Sequence, residues 1–167
     1  MPTSSDLSTW HQQVEALWKQ ADVLPTAELV RRMDALAAQA PHPALAAFEQ
    51  AGARDSTGDE AGAEAFYRVA LTAGLDEPRR RQATIQLAST LRNLGRPEES
   101  LALLDAELEQ RDDWWEAVRV FRALMLADLG REREALSDAL HLLAGHLPRY
   151  QRSVRHYAAA LLEAQEG

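Results

Sequence analysis

Three glycines recur along this chain with the same neighbours, and that repeat constrains the fold more than any other feature. Gly58, Gly95 and Gly130 lie at intervals of 37 and then 35 residues, with an alanine seven residues before each and a small residue five residues after. The small residues are Ala51, Ala63, Ala88, Ser100, Ala123 and Ala135. A period of this length is typical of a supersecondary unit stacked on its own copies, and it therefore predicts a scaffold.

The glycine and the small residues have separate physical roles. A helix that reverses direction within a few residues needs a backbone position with positive φ, which glycine adopts without a Cβ clash. A small residue on each of two paired helices lets their backbones approach closely, where a leucine would overpack. Because one hairpin alone cannot bury its apolar face, several repeats are needed together.

Apolar residues recur with helical spacing from about Thr9 to about Glu163, and no stretch alternates long enough to predict a strand. We therefore predict an all-α fold, a right-handed α-solenoid of antiparallel helix hairpins with about nine helices. Thr9 and Gln12 are placed to form a capping box at the start of the first helix. The predicted parts are a short flexible N-terminus (1–8), an N-terminal hairpin (9–40), three repeat pairs (43–145) and a C-terminal capping helix (148–163). They form one continuous domain over 9–163.

Composition and charge exclude several classes of function. The chain of 167 residues has a net charge of −8 and no cysteine, which argues against a nucleic-acid partner and against disulfides or thiolate metal sites. No apolar run is long enough for a membrane helix, so we expect a cytoplasmic protein without a membrane partner. His141 and His146 do not have the four-residue spacing of a zinc pair on a helix, and no metal is expected.

The repeat also resembles a known family. A Leu-Gly turn, the alanine before it, the small residue after it and an aromatic residue nine positions on, Tyr67, are together similar to the tetratricopeptide repeat. The block from Arg79 to Gly95, with QLASTLRNLG over 86–95, resembles tetratricopeptide repeat group 5, a group of small bacterial proteins. The resemblance covers roughly residues 43–145. Ala47, Thr84 and Arg119 stand where the repeat has an early tryptophan.

The resemblance implies a non-enzymatic scaffold without cofactors, in which the first helix of each pair lines a concave groove. The groove would bind a peptide or protein segment, because amide, hydroxyl and guanidinium groups suit a peptide backbone and its carboxylate. The residues that the resemblance places in the groove with the best chemistry for binding are Phe48, Gln82, Gln86, Ser89, Arg92, Asn93, Leu124 and Arg152. Gly52 and Asp55 are placed in the same groove.

Three alternatives remain open from the sequence. Gln86, Ser89 and Asn93 could instead connect neighbouring helices or face water. The chain could be a structural homo-oligomer, a homodimer for example, that uses the groove, the C-terminal helix or the Trp114–Trp115 edge for self-association. An enzyme or small-ligand carrier ranks below both, because no phosphate loop, nucleophile elbow or spaced carboxylate pair is present.

Overall fold

The computed structural model describes residues 4–163, and over that range the chain forms nine α-helices and no strand. The predicted all-α class is therefore confirmed. The chain divides into two compact units, one ending at Leu94 and the other beginning at Gly95. The single continuous domain over 9–163 stays a prediction.

The first unit contains five helices, each packed against the next one along the chain. They are α1 (Ser4–Trp18), α2 (Thr26–Ala37), α3 (Pro43–Asp55), α4 (Glu60–Ala73) and α5 (Glu77–Asn93). Helix α3 also contacts α5 directly, so that these two helices share one surface of the unit.

The second unit contains four helices, again packed in chain order. They are α6 (Pro97–Glu107), α7 (Trp115–Asp128), α8 (Glu132–His146) and α9 (Gln151–Glu163). Among all the helices in the described range, none has the length and apolar character needed to cross a membrane.

Local sequence explains where most helices begin and reverse. The side chain of Asp59 accepts the backbone N–H of Gly62 at the start of α4, and that of Asp76 accepts the N–H of Arg79 at the start of α5. The three repeat glycines have φ values of 82°, 76° and 70°, in the left-handed region that side chains with a Cβ rarely adopt. The predicted role of the repeat glycines as turn residues is confirmed.

The predicted start of the first helix is wrong. Helix α1 already includes Ser4, so Thr9 lies inside the helix and cannot form a capping box with Gln12; residues 1–3 of the predicted N-terminal segment lie outside the described range. Helix α9 begins at Gln151, within the predicted segment 148–163, because Tyr150 has a φ of 68° and interrupts the helical backbone.

Each unit has its own apolar core. In the first unit the large buried residues of α1 and α2 pack into one cluster, and the Trp10 indole N–H donates to the Leu36 carbonyl at 2.8 Å. In the second unit Leu104, Val118 and Leu126 are fully buried. These side chains supply most of the hydrophobic stabilisation of the helix pairs.

Five of the six small residues of the repeat are buried, and Ala123 is half-buried. Ala51 on α3 and Ala63 on α4 are both completely buried, and in the second unit Ser100 is completely buried on α6. Absence of any exposed surface at an alanine indicates that neighbouring atoms already contact its Cβ, so a longer side chain has no room there.

We expect Ala63→Leu to destabilise the protein by about 1–3 kcal/mol, because the larger side chain overpacks the α3–α4 contact. The measurement is urea unfolding followed by circular dichroism at 222 nm. Ala65→Leu is the matched control, since Ala65 is exposed on the same helix. Equal stability of the two variants would contradict close packing at Ala63.

Candidate functional site

A cavity of about 680 Å³ opens on the surface of the first unit, between α1, α3 and α5. Helix α3 contributes Phe48, Glu49, Gly52 and Asp55, and Ser56 follows directly after it; α5 contributes Arg79, Gln82 and Gln86; and α1 contributes Trp18. We call this space the groove cavity. Its residues combine aromatic rings, carboxylates, amides and one guanidinium group.

Helical geometry explains why α3 contributes so many of these residues. Phe48, Gly52 and Asp55 are separated by four and then three positions, so they lie on one face of the helix. Glu49 directly follows Phe48, and Ser56 directly follows Asp55, so both lie at the edge of the same face. One face of a single helix therefore carries both carboxylates of the groove cavity.

Gly52 allows the indole of Trp18 to lie against the backbone of α3. A Cβ atom at this position would be 3.2 Å from the Trp18 ring, closer than ordinary van der Waals contact. The Trp18 indole N–H also donates to Glu49 Oε2 at 2.7 Å. These two contacts connect α1 to α3 and fix one wall of the groove cavity.

Glu49 is a half-buried carboxyl whose surroundings disfavour its charge. Burial raises its pKa, although the hydrogen bond from Trp18 and the positive charge of Arg79 oppose that shift. In the described part of the chain, no lysine or arginine lies within ion-pair distance of Glu49.

Asp55 has the same character and is held by more hydrogen bonds. Its Oδ2 accepts the Tyr67 hydroxyl at 3.0 Å, and the Thr90 hydroxyl lies 3.4 Å from Oδ1. Burial raises the pKa of Asp55; the hydrogen bond from Tyr67 opposes the shift and the negative charge of Glu60 adds to it. The pKa of the buried Tyr67 hydroxyl is raised as well, so it remains a donor to Asp55.

Helix α5 supplies the opposite wall with Gln82 and Gln86, one helical turn apart. The side-chain oxygen of Gln86 is buried, and no group among the described residues donates a hydrogen bond to it. A buried acceptor without a donor costs about 1–3 kcal/mol. Such an atom at the edge of a cavity is available to a ligand.

Arg79 lines the groove cavity near the start of α5, but its guanidinium group already has partners. One terminal nitrogen pairs with the Asp76 carboxylate, and the other lies 3.1 Å from His11 Nε2. The pKa of His11 is lowered by burial and by the charge of Arg79, which favours the neutral imidazole as acceptor.

The structure brings together three of the eight residues chosen from the sequence. Phe48, Gln82 and Gln86 all line the groove cavity, together with the two α3 positions, Gly52 and Asp55, that the same reasoning placed there.

The other three chosen residues of α5 lie outside the lining. Ser89 and Arg92 are half-buried, and Asn93 is exposed. The Asn93 amide donates to Glu60 Oε1 at 2.9 Å and so connects the end of α5 to the start of α4. For Asn93 this contact matches the alternative in which it connects neighbouring helices.

Leu124 and Arg152 belong to the second unit. Leu124 is 42% exposed on α7, and Arg152 borders a shallow hollow with His156 and Tyr157 on α9. Their participation in binding stays a prediction.

Sequence reasoning missed Trp18, Glu49, Ser56 and Arg79. Trp18 has the spacing of the apolar stripe of α1, and Arg79 stands in a run of three arginines that is typical of exposed ion pairs. Arg80 does pair with Glu77 at 3.0 Å, whereas Arg81 is completely buried. A signal for Glu49 was available, because it lies beside Phe48 on a helix face that is otherwise apolar or small.

The adjacent tryptophans at the start of α7 are both partly covered. The guanidinium groups of Arg111 and Arg119 both contact the ring of Trp115, at 4.4 and 4.8 Å from its centre. Its indole N–H donates to the Leu108 carbonyl at 3.1 Å, directly after α6. These contacts are internal to the second unit.

Among the described residues, no three histidine, aspartate or glutamate side chains are grouped so as to hold a metal ion. The lining of the groove cavity offers hydrogen-bonding groups, charge and aromatic surface, which are means of recognising a ligand by contact.

Comparison with known proteins identifies the class of the chain. The family model described as Tetratrico peptide repeat, group 5 of that class, matches residues 44–161, which is more than half of the chain. Neither a curated protein nor a solved structure gives a significant match. The family match together with the all-α structure confirms the predicted tetratricopeptide-like class of solenoid.

We expect the two carboxyls of the groove cavity to lower stability as the pH rises. Because their pKa values are raised in the folded protein, the folded state keeps their protons to a higher pH than the unfolded chain does. The free energy of unfolding should therefore fall as the pH rises from about 4, the ordinary carboxyl range, through the raised pKa values. Glu49→Gln/Asp55→Asn should flatten this decline in urea unfolding between about pH 4 and 7.

Asp22→Asn/Glu109→Gln is the matched control, since it removes the same formal charge from two exposed positions. If the free energy of unfolding falls as steeply with pH in the cavity variant as in the control, the assignment of the pH dependence to Glu49 and Asp55 is contradicted.

Proposed function

The chain belongs to the tetratricopeptide repeat family, and from that premise we propose that it is a non-enzymatic scaffold that binds a peptide segment of a partner protein in the groove cavity. Members of this family typically act as protein-interaction scaffolds. The proposal adds where the segment binds. A cytoplasmic location stays a prediction.

One observation supports this site above the others on the first unit. The groove cavity places the amide groups of Gln82 and Gln86 opposite the aromatic residues Trp18 and Phe48. An extended peptide has unpaired backbone N–H and C=O groups, and a glutamine amide can accept from the former and donate to the latter. The aromatic residues provide apolar surface for its side chains.

We assign the first contacts to Phe48, Gln82 and Gln86, because they already share one cavity. Ser89, Arg92 and Asn93 continue along α5 toward its end, and we propose them as contacts for a longer segment. Leu124 and Arg152 lie on the second unit, and we propose that they form a further contact surface there.

Replacement of both glutamines by leucine should weaken peptide binding about tenfold, because two hydrogen bonds of ~0.5–1.5 kcal/mol each are lost while side-chain size is kept. Peptides selected from a random phage-displayed library on the wild-type protein are the probes, and calorimetry gives the affinities. Gln12→Leu is the control, because Gln12 is exposed on α1 outside the groove cavity. Unchanged affinity in Gln82→Leu/Gln86→Leu would contradict binding in this cavity.

A specific observation also favours self-association as a second candidate function. Large apolar side chains are exposed on the last two helices, with Leu143 on α8 at 53% and Tyr157 on α9 at 66%. Leu136 and Leu162 are exposed on the same two helices. Neighbouring exposed apolar residues of this kind mark interaction surfaces.

If α9 forms a homodimer contact, the protein should elute as a dimer in size-exclusion chromatography with light scattering, and Tyr157→Asp should shift it to the monomer. Ala159→Asp adds the same charge at an exposed position of α9 and serves as the control. A monomer at all concentrations would exclude the self-association function.

A further inference from the structure

We infer that the groove cavity receives a cationic side chain, the ammonium group of a lysine or the guanidinium group of an arginine, from the bound peptide segment. This inference rests on the proposed function and names the chemistry of its ligand. It follows from the balance between hydrogen-bond donors and acceptors around the cavity.

Acidic groups outnumber cationic groups in the lining of this site. Glu49, Asp55 and the side-chain oxygen of Gln86 all border the groove cavity. The Trp18 indole N–H already donates to Glu49, and the Tyr67 hydroxyl already donates to Asp55. Each carboxylate can accept several hydrogen bonds, so both retain capacity for a ligand that brings donors.

The two buried side-chain atoms that have no hydrogen-bond partner in the described part of the chain are both oxygens at this end of the first unit. They are Gln86 Oε1, on the wall of the cavity, and Glu60 Oε2, in the residue whose charge acts on Asp55. A buried acceptor left without a donor is unfavourable, and buried carboxylates that lie close together repel each other. A cation bound in the cavity supplies a donor to Gln86 Oε1 and a positive charge near Asp55, on which the charge of Glu60 acts.

Other partly buried carboxylates of this protein are paired with arginine side chains. Asp34 pairs with Arg54 at 3.0 Å in the first unit. In the second unit Asp138 accepts from Arg119 at 2.6 Å and from Arg122 at 2.5 Å. Among the described residues Glu49 and Asp55 have no such partner, although Glu49 is similarly shielded from water.

The one cation that lines the groove cavity does not neutralise these carboxylates by direct contact. The guanidinium group of Arg79 pairs with Asp76 and contacts His11. Its charge acts on Glu49 from a distance. The lining therefore contains two carboxylates, Glu49 and Asp55, that are not paired with a cation. Its one guanidinium group, that of Arg79, is already paired.

The aromatic residues of the cavity suit the same ligand. Trp18 and Phe48 border the space into which Glu49 and Asp55 face. Aromatic faces attract ammonium and guanidinium groups and also contact the aliphatic part of a lysine or arginine side chain. Charge and surface thus favour a long basic side chain over an acidic or small one.

The test compares two arrays of random octapeptides with acetylated N-termini. One array permits lysine and arginine but no aspartate or glutamate, and the other permits the acidic residues but no basic ones. We expect the wild-type protein to bind the basic array about tenfold more strongly or better, as charge pairs in desolvated sites do. Equal binding, or preference for the acidic array, would overturn the cation inference while leaving the proposed function standing. Binding to neither array would overturn the proposed function itself.

Because the whole chain is acidic, the preference must be assigned to the cavity. Glu49→Gln/Asp55→Asn should lose the preference for the basic array, whereas Asp22→Asn/Glu109→Gln, with the same net charge and with exposed positions, should retain it. Equal loss in both variants would overturn the inference, because the preference would then come from net charge alone.

A second measurement does not depend on the folding of any variant. The strongest peptide of the basic array is resynthesised with its lysine replaced by norleucine, or its arginine by citrulline, and titrated into wild-type protein by calorimetry. We expect the affinity to fall about tenfold or more, since the neutral analogue keeps the length of the side chain and removes its charge. Unchanged affinity would overturn the inference.

Discussion

Close contact between paired helices at small residues is the interaction on which the rest of the first unit depends. Ala51 on α3 and Ala63 on α4 are completely buried, and these two helices share the most extensive helix contact of the first unit. Ala51 is three positions after Phe48 and four before Asp55, so it lies beside both residues on α3. Close packing at Ala51 therefore fixes the direction in which the adjacent face presents Phe48, Glu49 and Asp55 to the groove cavity. The position of the carboxylates thus follows from the packing of an alanine next to them on the same helix.

Much of the fold was predictable because it depends on local chemistry. Helix reversals follow from the positive φ of the repeat glycines, and the start of α5 follows from the cap at Asp76. The start of α1 was not predictable, since Thr9 and Gln12 have the residue types of a capping box but lie inside a longer helix. A local motif indicates a helix end only where the preceding residues do not continue the helix.

The site was predictable where it depends on one helix and not where it depends on the packing of several. Gln82 and Gln86 share a face of α5 by periodicity, and the resemblance to the tetratricopeptide repeat placed them in one groove with Phe48 on α3. Trp18 reaches the cavity only because Gly52 leaves room for its indole against α3, and no pattern within α1 contains that information. Asn93 has the residue type of a binding group, yet its amide is bonded to Glu60 across to α4.

The cost in stability at the groove cavity is local. Elsewhere among the described residues, the partly buried carboxylates Asp34 and Asp138 are paired with arginine. At the cavity, burial disfavours the charged forms of Glu49 and Asp55, and the Gln86 oxygen has no donor within the described chain. Sequences that specify a fold satisfy their polar groups, and departures from that rule concentrate where a protein binds or reacts. The same three side chains that make this part of the first unit less stable are therefore those that give it a chemical preference, and any change that relieves the cost should also remove the preference.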